Sequence, residues 1–201
     1  MLKISAQSNL LAFAMLALSS NALSKDISYD YVQGTYSSLT DSGLGFDVDG
    51  NGFAFAGSFS ISPNIAVTAL FGATSFDRFL GIDVDVAELD FGITAHTSVA
   101  PNTDVFGNFS VVNTEIEASD GFTTVTDDDT GNAISFGLRH MASEKAEISM
   151  GFSRVDIFSD TGNTFGFGVR FYANNKFSVG IGYSTGDDVD TLLLSARIEL
   201  K

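Results

Sequence analysis

Cysteine is absent from the 201 residues. That rules out disulfide stapling and lipid attachment at a cysteine. Tryptophan is absent too, and proline occurs only 2 times, so little in the chain interrupts extended backbone. Basic residues are few, 10 Lys+Arg against 25 Asp+Glu. This balance excludes nucleic-acid binding and electrostatic attachment to anionic lipid. Long apolar runs are also missing. The longest, residues 10–18 (LLAFAMLAL), is too short to cross a bilayer as a helix. It follows Lys3 and precedes a small-residue stretch, Ser19 to Ser24, which is the three-part pattern of a secretory signal peptide over residues 1–24. With Lys3 set aside, nine basic residues face 25 acidic ones in residues 25–201, a formal charge of −16.

What the chain has in quantity is phenylalanine, 19, and glycine, 20. Their arrangement is most regular in residues 52–73, GFAFAGSFSISPNIAVTALFGA. Phe53, Phe55, Phe59 and Ile61 share one face of an alternating run, opposite Gly52, Ala54, Ala56, Ser58 and Ser60. After Ser62-Pro63-Asn64 the alternation resumes with Ile65, Val67, Ala69, Phe71 and Ala73. Period two on both sides of a tight turn predicts a β-hairpin. A soluble hairpin would set Lys, Glu and Arg against its Phe row. Here the second face is small and weakly polar. That suits a strand with lipid on its large side and a closed barrel interior on its small side.

The same pattern predicts strands at 27–38, 52–61, 65–76, 84–95, 103–113, 132–140, 146–157, 164–172, 177–184 and 191–200. On the first, Val32, Gly34 and Tyr36 point outward and Tyr29, Tyr31, Gln33 and Thr35 inward. The fold class is all-β: a transmembrane antiparallel up-and-down β-barrel of ten strands, or eight if the first or a middle strand fails. Lipid offers no hydrogen bonds, so only a closed barrel satisfies every strand edge. Connections at 62–64, 96–102, 142–145 and 173–176 read as short periplasmic turns. Those at 39–51, 77–83, 114–131, 158–163 and 185–190 read as longer, Asp- and Gly-rich external loops.

Candidate chemistry is sparse. Asp47-Val48-Asp49-Gly50-Asn51-Gly52 matches the first half of a calcium loop, but Ser58 stands where the closing Glu belongs. The acidic residues of 114–131 and Asp187, Asp188 and Asp190 show no fixed ligand spacing. They read as a solvated, self-repelling surface ahead of weak Ca²⁺ or Mg²⁺ sites; no other cofactor is expected. The inward charges are more informative. Arg139, Arg170 and Arg197 fall at similar depth on strands six, eight and ten. Glu88, Asp90, Glu147 and Glu199 are the inward acids available to them, and buried charges need partners. These seven form the expected lumen charge network, either stiffening and filling the interior or constricting a narrow pore. His96 and His140 both fall at periplasmic ends, away from any nucleophile, and there is no P-loop or Rossmann glycine pattern. No enzyme is expected.

The signal peptide, the opening Tyr29-Asp30-Tyr31-Val32-Gln33-Gly34 strand, the Ser62-Pro63-Asn64 and Ala100-Pro101-Asn102 turns and the alternating last strand carry a resemblance. The chain resembles the small outer-membrane β-barrel proteins of Gram-negative bacteria, the OmpX-like and opacity-protein-like group. Barrels of that group usually end on an aromatic residue, whereas this chain ends Ile198-Glu199-Leu200-Lys201. The resemblance implies export to the outer membrane and contact with its lipid and lipopolysaccharide. It further implies insertion by the barrel-assembly machinery as a monomer. The expected role is structural or surface-interacting, with a narrow channel for ions or small solutes as an extension. The alternative is an adhesin or binding protein acting through the acidic loops. A soluble secreted β-protein with its phenylalanines inside is a third reading.

Overall fold

Alternating large and small side chains give each strand one face that fills space and one that leaves it. The computed structural model, which describes residues 29–43 and 45–200, shows where each face goes. The expected signal peptide, residues 1–24, lies outside the described residues. Ten strands follow in chain order: β1 (Tyr31–Asp41), β2 (Val48–Ser62), β3 (Ile65–Phe79), β4 (Ile82–Ala100) and β5 (Thr103–Ser119) come first. Then come β6 (Thr124–Ser143), β7 (Ala146–Ile157), β8 (Asp160–Tyr172), β9 (Phe177–Gly186) and β10 (Val189–Glu199). Each pairs antiparallel with its chain neighbours, and β1 meets β10 in unbroken register from Tyr31↔Glu199 to Asp41↔Val189. The sheet is a closed barrel. Both described ends of the chain lie at one end of it, termed the terminal end here; the other is the distal end.

The phenylalanines point out. Phe53 is 61% exposed and Phe55 64%, with Phe71, Phe91, Phe109, Phe136, Phe165, Phe167 and Phe171 all about half exposed. Phe136–Phe152 and Phe167–Tyr183 are cross-strand ring pairs on this outer surface, with centroids 5.4 and 5.7 Å apart. A soluble globule would bury these rings, so the third reading fails. The inward assignment of Tyr31, Gln33 and Thr35 also agrees with the structure, since all three are buried.

The connections differ from expectation. The distal loops are short, not long. Leu80-Gly81 and Phe158-Ser159 are two-residue turns with positive φ at both positions, the geometry that matches the twist of flanking strands. The expected loop 114–131 is mostly strand, with only residues 120–123 in the turn. Asp120 closes it by accepting hydrogen bonds from the backbone N–H of Thr123 (2.7 Å) and Phe122 (2.8 Å), which hold its carboxyl below the usual range. The expected loop 39–51 shrinks to residues 42–47, and the calcium-like stretch enters β2. There Asp49 accepts from Thr40 Oγ1 at 2.7 Å and Asn51 from the Tyr36 hydroxyl at 2.6 Å.

The asymmetry therefore lies in strand length. β4, β5 and β6 have 19, 17 and 20 residues, against 10 and 11 in β9 and β10. A tilted strand needs only about 9–11 residues to cross the hydrocarbon. The surplus rises at the distal end as a wall built from β3 to β6. In it the period-two pattern changes partners: Val84, Val86 and Ile116 face inward, while Asp85, Glu115 and Glu117 face out.

The lipid-facing reading of the aromatic band has a direct test. Phe167→Arg places a charge where hydrocarbon is expected and should lower stability by about 2–4 kcal/mol in phospholipid vesicles. Urea unfolding measures it, and a change below about 0.5 kcal/mol would place that face in water.

Candidate functional site

The interior collects its charge at the terminal end. Arg139 on β6, Arg170 on β8 and Arg197 on β10 all point inward and are buried. Arg139 Nε donates to Glu147 Oε1 at 3.0 Å, across the β6–β7 ladder. The second Glu147 oxygen accepts from the Tyr172 hydroxyl at 2.8 Å. Arg197 Nη1 lies 3.7 Å from Glu199 Oε1. The structure thus brings together five of the seven expected residues: Arg139, Glu147, Arg170, Arg197 and Glu199.

One side chain that sequence reasoning placed inward but left out of the network joins the remaining arginines. Gln33 Oε1 accepts from Arg170 Nη2 at 2.8 Å and from Arg197 Nε at 3.1 Å. A single neutral oxygen therefore bridges two like charges, and Arg170 also donates to Ser178 (3.2 Å) and Ser195 (3.3 Å). Aromatic faces complete the shell. The Arg197 guanidinium carbon sits 4.2 Å from the Tyr31 ring centroid and that of Arg139 5.8 Å from Tyr29. Such cation–π contacts gain strength where water is excluded. Tyr29 itself stacks on His96, with centroids 3.3 Å apart. The signal for these partners was the alternation of the opening stretch, which sets Tyr29, Tyr31 and Gln33 on its lumenal face.

Further along the lumen, Phe106 on β5 packs against Leu193 on β10. Those strands are on opposite sides of the barrel, so the contact spans it. Gly137 makes room for the ring: a Cβ there would lie 2.7 Å from Phe106 Cζ. Beside Arg170, the space bounded by Thr35, Glu147, Ser149 and Ser195 is a cavity of about 10 Å³. That is room for one water. The arrangement is chemically a plug: Arg139 paired with Glu147, Arg197 beside Glu199, Gln33 between two arginines, and hydroxyls and rings around them.

Glu88 and Asp90 are not part of it. Both are buried and inward on β4, but Thr94, Asn108 and Ser135 share one hydrogen-bonded row. The two acids lie on the distal side of that row and Arg139 on the terminal side. The gap of eight to ten residues of strand far exceeds ion-pair reach. Arg139 instead takes an acid of the adjacent strand, Arg197 one of its own, and Arg170 takes Gln33.

Removing one partner of a buried pair strands the other. Arg139→Ala should destabilise the barrel by about 3–5 kcal/mol by leaving Glu147 without its counter-charge. The double change Arg139→Met with Glu147→Leu should recover most of that loss. Unfolding in detergent micelles checks both, and equal losses in the two variants would show that the pair is not the cause.

Comparison with known proteins agrees with this architecture. Residues 10–184 match the family model described as outer membrane protein beta-barrel domain. No curated protein matches the chain by sequence. Among solved structures, neisserial surface protein A is similar at a TM-score of 0.50 and 11% identity, covering 86% of this chain and 98% of its own. The translocator domain of the autotransporter NalP from Neisseria meningitidis is similar at 0.51 and 10%, covering 85% and 87%. At such identities these likenesses concern the fold alone. The closed barrel, its aromatic outer band and the match over residues 10–184 lead to one assignment: the chain belongs to the outer-membrane protein β-barrel domain family.

Proposed function

We propose that this protein is a closed, non-enzymatic outer-membrane barrel that works at its distal surface, as a contact protein for a basic partner. It inserts as a monomer through the barrel-assembly machinery, with lipid and lipopolysaccharide against its aromatic band. The observation that carries the reading is the register of the wall. On its outer face Asp85 lies opposite Glu117, and Glu115 opposite Asp128. Like charges directly across a ladder destabilise a sheet. A face that keeps two such pairs, on strands already longer than the bilayer needs, is better suited to a positively charged surface than to stability alone. The filled lumen supports the same reading against a channel, because Arg139, Arg170, Arg197 and the Phe106–Leu193 contact occupy the path.

Neutralising the face tests this. A variant carrying Asp85→Asn, Glu115→Gln, Glu117→Gln and Asp128→Asn should be as stable as the parent or more so. It should bind an immobilised Lys- and Arg-rich peptide about tenfold or more weakly at physiological salt. Biosensor titration of the refolded barrel gives the comparison. Undiminished binding would remove the wall from the function, and single-channel conductance by the unaltered protein would favour transport.

A further inference from the structure

Glu88 and Asp90 remain unexplained by the plug or by the wall. Both enter the lumen from β4 at 2% and 1% exposure. The register explains why the protein offers them so little. Asp90 lies between Leu70 on β3 and Val112 on β5, and Glu88 between Gly72 and Thr114. None of these neighbours carries a cation or an amide side chain. Glu88 Oε2 and both carboxylate oxygens of Asp90 receive no hydrogen bond from any other group among the described residues, and the two carboxyl groups lie within hydrogen-bond reach of each other. Thr114 is 0% exposed, shares the lumenal face with Glu88 in direct register, and its Oγ1 is equally without a partner. Directly opposed residues on one face have Cβ atoms about 4.5–5.5 Å apart. The hydroxyl therefore borders the carboxylates.

Two carboxylates removed from water with no counter-charge are costly. A hard cation offsets that cost, and an all-oxygen donor set selects Ca²⁺ or Mg²⁺ over transition metals. Residues i and i+2 of a strand are about 6.8 Å apart, so both carboxylates can reach one ion. We propose that Glu88, Asp90 and Thr114 form a lumenal binding site for a divalent hard cation, with water completing its coordination. The ion enters from the distal end. Below it the three arginines repel it, which makes the site a blind pocket and no stage in a conduction path.

The experiment is calorimetric Ca²⁺ titration of the refolded full-length barrel, stripped with chelator, in an uncharged detergent. Heat-modifiable gel mobility verifies that each variant is folded. The unaltered protein is expected to show one saturable site. Glu88→Gln with Asp90→Asn should weaken it about tenfold or more, and Thr114→Val by a smaller factor. Asp77→Asn with Glu144→Gln, two exposed acids outside both the lumen and the paired acids of the wall, should leave it unchanged. If the double lumenal variant does not fold, Glu88→Gln alone and Thr114→Val decide. No saturable site in the unaltered protein overturns the proposal. So does a site that survives the lumenal changes and disappears with the exposed ones.

Discussion

The seam between β1 and β10 is the constraint on which the rest depends. Hydrocarbon cannot hydrogen-bond a peptide group, so an unpaired strand edge inside a bilayer carries a penalty of several kcal/mol per group. The chain answers by pairing its first described strand with its last over eleven consecutive positions. Once that seam closes, every strand has an inside and an outside, and each residue's role follows from its parity. Large apolar side chains can face outward only because lipid is there. Small ones must face inward because ten strands enclose little space.

That division creates a second problem, which the plug resolves. An interior of Gly, Ala and Ser would hold water and leave the barrel walls unsupported from within. The chain fills it unevenly. At the terminal end, arginines, glutamates, Gln33 and tyrosines form a polar core. Above this, the Phe106 ring crosses to Leu193 over a position that only glycine can occupy. Hydrogen bonds run between strands far apart in sequence, Gln33 to Arg170 among them, so the contents of the barrel brace it across its width.

Much of this was legible in the sequence, and the limits are physical. Alternation is local, so Phe53–Phe55 and Phe165–Phe167 show a lipid-facing side without any knowledge of neighbours. The strand number follows from the same signal. The ends of β5 and β6 did not, because Glu115-Ile116-Glu117 alternates acid with aliphatic. That is the pattern of an ordinary half-wet sheet outside the bilayer, and acidic content made it look like loop. The inward arginines were identifiable by parity. Glu147 and Glu199 were identifiable as their partners on the same ground, but the bridging role of Gln33 was not legible, since pairing depends on stagger between strands. Glu88 and Asp90 have the right parity and charge but sit too far along β4, and only the register reveals it.

The unequal strands also break the barrel's rotational equivalence. β3 to β6 rise on one side, while β9 and β10 stop near the rim. Seen from above, the molecule has a front and a back. A neighbour diffusing in the same leaflet meets either a tall acidic screen or a low edge, depending on the azimuth of approach. Lateral encounters in the plane of the membrane are therefore directional, even for a protein whose lipid-embedded girdle is nearly uniform all the way round.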